Sequence, residues 1–544
     1  MLCAESPAAE PEQPRLFGDL VMSQGPPDEA VLVGPAASWR SRTCESTSVG
    51  CAVDEGLLEV FRRAKDPGDP IELRDLYLGQ VEFKVAEVRR QSLLDKWTSS
   101  RVRRDVTAEC VLASRSSARL IKELFNWYFR DDLYGDFRCE QHLILSSGSV
   151  DETIYGLPQV LKSCIYYALQ RDWYGYSDSR GRERARGAIA SLENAKLRCA
   201  RYSSEHVAIT MGGTFAMSGI ADFVLSGRDH ASPALCAIPN YPPLVASVAR
   251  RSPTKMVPIE SGPCGSRLGP LIDAVRPDTP LVLVQTVTNP TGAAVDERDL
   301  DRLIAATSPQ TVVVLDECHE GLGPEPIRSR HRGASNVVRV SSASKSYSVP
   351  GLKLGWFVAD SRFIDEFYEY ASTSYGGPPS LLYTLAEVIA RMERWLIEGR
   401  ETTGSEELAE FEDSYRLRPE ELAMAYSSFS AGRRWRYRQL SGLREQAIAG
   451  LRHFGYEAVD APHSINVAVR AQNCDNGYVM FRELLRTQQV AVFPGVLTMC
   501  LEPGWFRLTT AKPPNGMSEA LRRLGLATDS SRGDSSSAGI GVRS

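Results

Sequence analysis

Between residues 206 and 358 the chain repeats one pattern seven times. Short apolar runs at 206–210, 234–238, 255–259, 281–287, 311–315, 337–340 and 354–358 are each followed by polar or turn-forming residues. Runs this short, apolar on both alternating faces, read as strands covered on both sides. Helical periodicity between several of them supplies the crossovers that parallel strands need. The expected fold is therefore α/β: a large domain with a mostly parallel seven-stranded sheet between helices, plus a smaller α+β domain. In such sheets ligands bind just outside the carboxyl ends of the strands. The residues that follow each run are the first candidates for a site.

The run at 337–340 leads into Ser341-Ser342-Ala343-Ser344-Lys345, then Pro350-Gly351-Leu352-Lys353-Leu354-Gly355. A lysine crowded by small residues at a strand end is placed for chemistry, because partial burial lowers an amine's pKa and makes it nucleophilic toward carbonyls. The run at 311–315 ends in Asp316, with His319 three residues on. Met211-Gly212-Gly213-Thr214 joins a strand to a helix, where glycine allows close approach and the helix N-terminus attracts phosphate. Pro239-Asn240-Tyr241-Pro242 and Asn289-Pro290-Thr291-Gly292 are turns that follow two further strands. Arg507 interrupts the apolar run 505–509. A buried arginine needs an anion, and its planar fork suits a carboxylate.

Taken in order, these segments resemble those of the class I/II aminotransferases, the fold-type-I enzymes that use pyridoxal 5'-phosphate (PLP). The pattern S-x-S-K-x-x-x-x-P-G-x-K-x-G over Ser342 to Gly355 and the tetrapeptide N-P-T-G at Asn289 carry the resemblance, which spans residues 141 to 527. It implies that Lys345 binds PLP as an imine and shuttles the Cα proton, with Asp316 holding the ring nitrogen protonated. Gly212, Gly213, Thr214, Ser342 and Ser344 would hold the phosphate, Tyr241 would stack on the ring, and Asn289 would donate to the ring oxygen. Arg507 would grip the substrate carboxylate, with Asn289 and Gly148 beside it. Tyr176 would reach the phosphate of a neighbouring subunit, and the loop at Tyr375-Gly376-Gly377-Pro378-Pro379 would cross to the partner's site, so a homodimer with shared sites is implied. Two positions depart from the family pattern. Lys353 stands where an arginine clamp is usual, and His319 stands where a tyrosine usually tunes the imine; neutral imidazole can donate likewise, but titrates near pH 7.

The chemistry so implied runs through an external aldimine and a quinonoid. It ends in transamination or, as in the aminocyclopropane-carboxylate synthase branch, in elimination or γ-replacement on an activated amino acid such as S-adenosylmethionine. The two departures make a specialised reaction plausible. A PLP-binding regulator without turnover is a third reading, disfavoured by the intact Lys345, Asp316 and Arg507.

The flanks say less. Residues 1–75 are rich in Pro, Ser, Gly and Ala and read as a loose extension. Residues 76–140 read as a helical accessory segment, with Leu120, Ile121, Leu124, Phe125 and Tyr128 at helical spacing. The large domain is expected at about 185–400, the small one at about 141–180 and 430–527, an exposed insertion at 398–413, and a disordered tail at 528–544. A net charge of -5 offers no basic face for nucleic acid. No apolar run reaches membrane-span length. Twelve cysteines without C-x-x-C pairs read as reduced cytoplasmic thiols. No metal site is expected.

Overall fold

The computed structural model describes residues 14–20, 47–101, 103–227, 229–324, 328–472 and 474–536. Its centre is a seven-stranded sheet. In chain order the strands are β1 (Val207–Met211), β2 (Ala234–Ile238), β3 (Thr254–Pro258), β4 (Leu281–Gln285), β5 (Val312–Asp316), β6 (Val337–Ser342) and β7 (Leu354–Val358). Their order across the sheet is β1-β7-β6-β5-β4-β2-β3. Neighbours are parallel from β6 to β3, and β7 runs antiparallel to both β6 and β1. Strands β2, β4 and β7 are buried along their whole length. Helices cover both faces: one apolar core lies between the sheet and Gly213–Leu225, and another packs Tyr383–Ile397 and Glu183–Leu197 on the opposite side.

The reversed strand matters for the site. Gly355 on β7 pairs with Thr210 on one side and Ser342 on the other. The carboxyl ends of β1 and β6 therefore flank the start of β7. Three chain segments (Gly212–Thr214, Ser342–Lys345 and Lys353) meet at one edge. A Cβ on Gly355 would stand 2.7 Å from the Gly212 backbone, so only glycine lets the turn after β1 settle against β7.

A second sheet follows the long helix Pro419–His453: β8 (Glu457–Ala458), β9 (Asn466–Arg470), β10 (Phe493–Pro494) and β11 (Trp505–Thr509), ordered β8-β9-β11-β10 and antiparallel. Residues Leu143–Ile144 pair with Val490–Ala491, which ties the segment before the large sheet to the smaller unit.

Several flank expectations differ from the structure. Residues 1–13 and 21–46 lie outside the described residues, but the remainder of 1–75 is ordered chain. Glu55–Arg63 and Pro70–Lys84 are helices, each opened by an aspartate side chain that accepts from a backbone amide in the first turn. Leu16 and Phe17 are buried against the second core. The Pro/Ser/Gly composition masked these because the amphipathic stretches are short. The stretch 361–397 forms two helices, Ser361–Ser374 and Tyr383–Ile397, broken at the Gly-Gly-Pro-Pro turn. The acidic stretch 398–413 is not a free insertion. Glu410 pairs with Arg391 at 2.8 Å and Phe411 is buried. The last helix runs Pro514–Ser536, past the expected start of the tail. Residues 537–544 lie outside the described residues.

Just behind Asp316 lies a buried ionic cluster. Arg339 of β6 pairs with Glu193 at 2.7 Å and with Glu317 at 2.8 Å, and Arg332 bonds Glu317 at 2.7 Å and Glu320 at 2.6 Å. Burial alone would lower the Arg339 guanidinium, but Glu317 and Glu193 outweigh it and hold its pKa well above the usual range. Glu317 directly follows Asp316, so the cluster fixes the strand end that presents the aspartate. Removing one partner from such a cluster leaves uncompensated buried charge, at a cost of about 3–5 kcal/mol. Arg339→Met is accordingly expected to lower the urea unfolding midpoint by that equivalent. An unchanged midpoint would contradict a structural role for the cluster.

Candidate active site

At the carboxyl edge of the large sheet, where it meets the smaller one, is a cavity of about 220 Å³. Every sequence-derived candidate except Tyr176 lines it. The turn after β1 comes first. Gly212 has φ 81° and caps the helix Gly213–Leu225, so the amides of that first turn and the exposed Thr214 face the opening. Ser342 accepts from the Ser344 amide at 3.1 Å, and the two hydroxyls lie 2.8 Å apart. Lys353, with φ 56°, stands exposed beside them.

Lys345 sits in the short helix Ala343–Ser346, and its Nζ donates to the Gly148 carbonyl oxygen. Burial pushes this amine down to about 8, and the Arg507 guanidinium pushes the same way. Asp316 ends β5. Its carboxylate accepts from Gln285 Nε2 at 2.8 Å and from the Cys318 amide at 3.1 Å. His319 is buried, and its Nε2 has no hydrogen-bond partner. Burial, with Lys345 and Arg507 nearby, drops its pKa to about 3. The expectation that this imidazole titrates near neutrality is thus corrected: burial keeps it neutral around pH 7.

Arg507 reaches in from β11. It donates to the Ser146 carbonyl at 2.8 Å and to Asn289 Oδ1 at 3.4 Å, and it lies 4.2 Å from the Phe493 ring centroid. Its Nε has no partner, and burial lowers the guanidinium to about 10. Both of these acceptors are neutral carbonyl oxygens. The segment before it is clipped in place: Gly148 N donates to Thr509 Oγ1 at 2.9 Å, and Thr509 N to the Leu145 carbonyl at 2.7 Å. Gly148 has φ 61°, and a Cβ there would stand 3.0 Å from the arginine fork.

These residues fit PLP. A phosphate finds the glycine turn, two serine hydroxyls and a lysine. A ring nitrogen finds a carboxylate already oriented by Gln285. A ring oxygen finds Asn289 and the orphaned His319 Nε2, and an aldehyde finds an amine of lowered pKa. Tyr241, half-buried after β2, supplies the ring face. Tyr176 does not join this cavity, since its side chain is fully exposed. Tyr375 turns inward onto Phe215 of its own chain, ring centroids 4.7 Å apart.

Sequence reasoning missed part of the wall. Phe125 and Phe129 line the cavity. They belong to the helix Arg115–Trp127 and its π-helical continuation Tyr128–Asp136, outside the stretch that carried the motifs. Gln285, Cys318 and Asn466 were also passed over. The aromatic run Phe125-Asn126-Trp127-Tyr128-Phe129 was the available signal, being richer in rings than one buried stripe requires.

A family profile described as "Aminotransferase class I and II" matches residues 141–405. Over those residues the chain is similar to the class I and II aminotransferases. Among curated relatives, the aromatic amino acid aminotransferase of Mycolicibacterium smegmatis is 31% identical over 139 residues, 23% of this chain and 38% of that protein. Histidinol-phosphate aminotransferase 2 of Burkholderia mallei is 31% identical over 109 residues, 20% of this chain and 30% of that protein. The first aligned stretches thus span about a third of those relatives' lengths. Among solved structures, a double mutant of Thermus thermophilus aspartate aminotransferase superposes with a TM-score of 0.58. It is 18% identical and covers 78% of this chain and 99% of its own. Pyrococcus horikoshii aromatic aminotransferase gives 0.58 at 17% identity, over 72% and 97%. Both share the fold-type-I aminotransferase architecture.

The lowered amine has a direct consequence. At pH 7.5 about a quarter of Lys345 amines are neutral, against about one in a thousand for an ordinary lysine. Neutral amine is the reactive form, so capture of PLP by the cofactor-free chain rises with pH and levels off above an inflection near 8. The visible absorbance of bound PLP reads this. An inflection near that of free lysine would show that burial does not tune the amine.

Proposed function

We propose that the protein is a PLP-dependent aminotransferase acting on a small α-amino acid. One observation carries this reading: the Lys345 amine, the Asp316 carboxylate and the Arg507 guanidinium, which donates to neutral carbonyl oxygens, face one cavity beside a glycine-turn cradle. Bound there, PLP supplies the electron sink for charge left on the substrate's Cα.

The chain's own residues do the rest. Arg507 receives the substrate α-carboxylate and so fixes which bond at Cα lies nearest Lys345. Nζ of Lys345 would take the Cα proton and hand it back one atom away, after which water would free the keto acid and complete transamination. Asp316 keeps a proton on the ring nitrogen, and Gln285 keeps Asp316 in place. His319, neutral, donates or accepts through Nε2 at the ring oxygen without changing charge. Lys353 supplies charge at the phosphate end, where its single ammonium lacks the fork of an arginine.

A second copy completes the site in this reading. Tyr166, Leu169, Tyr174 and Tyr176 are exposed apolar side chains within one stretch of chain, the kind of patch that marks an interface. Cysteines unpaired among the described residues suit a reducing, cytoplasmic setting.

Adding an amino donor alone to the PLP-loaded protein is expected to bleach the visible band to that of the amine form, with one keto acid released per site. Release of a leaving group with no need for a keto acid would point to elimination instead. Arg507→Ala should lower kcat/KM by about 30-fold or more, the equivalent of about 2–5 kcal/mol for a buried charge partner. An effect under threefold would remove Arg507 from substrate binding.

A further inference from the structure

The wall that the N-terminal segment adds to the cavity has no role in what is set out above. Phe125 and Phe129 lie four residues apart on one helical face, their rings 5.2 Å apart and edge-on. Phe125 meets Tyr241 at 5.8 Å and Phe493 at 5.8 Å, and Phe129 meets Phe493 at 5.7 Å. Phe493 in turn underlies Arg507. A contiguous set of rings therefore links Tyr241 to Arg507, with Phe125 and Phe129 in the cavity lining and Phe493 buried behind them.

This wall is fixed. Tyr128, between the two phenylalanines, is fully buried and donates to the Val492 carbonyl at 2.8 Å. One turn on, Asp132 is buried; it accepts from Arg90 at 2.8 Å and from the Tyr478 hydroxyl at 2.5 Å. Arg482 pairs with Glu82 at 2.6 Å and lies 3.6 Å from Asp132. These contacts pin the segment to the helix Gly477–Gln488 of the smaller unit. The cavity's cations are Lys345, Lys353 and Arg507. Lys122 lies over Phe125, but its amine bonds Asn126 and it is not part of the lining.

We propose that Phe125 and Phe129 form the side-chain pocket of the substrate and select amino acids that carry an aromatic ring. This rests on the aminotransferase reading and deepens it. With the α-carboxylate on Arg507 and Cα held near Lys345, the side chain extends along the aromatic surface. A flat ring there gains offset or edge-on contacts with both phenylalanines. Among the described residues that line the wall beside Phe125 and Phe129 there is no cation, Lys122 being held by Asn126 outside the lining, so an acidic side chain desolvates its charge without return.

The test uses the full-length PLP-loaded protein. Conversion of the visible band is followed with L-phenylalanine, L-alanine and L-aspartate as donors, and binding of 3-phenylpropanoate, propanoate and succinate is followed by the same absorbance. The wild type is expected to bind 3-phenylpropanoate at least tenfold more tightly than propanoate or succinate, and to favour phenylalanine as donor. Phe125→Ala and Phe129→Ala should each lower the phenylalanine-to-alanine ratio of kcat/KM at least tenfold, with Phe125→Leu intermediate. A wild-type preference for succinate or aspartate, or ratios unmoved by the substitutions, would overturn the proposal. Should the alanine variants fail to fold, the wild-type acid series decides alone. Failure of every donor to change the band would sink the aminotransferase reading, while the acid series would still report on the pocket.

Discussion

Two buried or half-buried cations face one cavity, and the arginine donates to neutral carbonyl oxygens. Arg507 bonds the carbonyl oxygens of Ser146 and Asn289, and Lys345 donates to the Gly148 carbonyl. Loss of water lowers both pKa values, and the arginine's charge pushes the lysine further down. Folding such a pair is unfavourable unless something else is gained. In the proposed reading anionic groups relieve it, a phosphate at the glycine turn and a carboxylate at the arginine.

The sheet explains why these groups meet at all. Lys345, Asp316, Asn289, Tyr241 and the glycine turn follow β6, β5, β4, β2 and β1, so a parallel sheet delivers them to one edge without long loops. Strand β7, reversed, closes the gap between the ends of β1 and β6 and needs Gly355 to do so. Arg507 alone among the charged groups arrives from the second sheet, with Gly148 and Thr509 setting its depth. The placement of charge is thus built on rigid elements, and the ionic cluster around Arg339 holds the strand end behind Asp316.

Most of the strands were legible in the sequence, because an apolar run bounded by turn residues has few other readings. The run at 311–315 is offset by one residue from β5, which starts at Val312 and ends on Asp316. What composition could not show was long-range docking. Leu16 and Phe17 sit in a stretch rich in proline and serine, yet find a core hundreds of residues away. Phe125 reads as one more apolar position on an amphipathic helix; only tertiary packing turns it from a core residue into a cavity wall. His319 shows the same limit. Its type suggested a group titrating near neutrality, whereas burial beside two cations fixes it neutral.

The central claim is that the Lys345 amine is the group that takes up the aldehyde of the coenzyme. Loading the full chain with PLP, reducing with borohydride and mapping the tagged peptide by mass spectrometry measures this directly. The account predicts one pyridoxyl group per chain, on Lys345. A tag on Lys353 or on a surface lysine, or none at all, would contradict it.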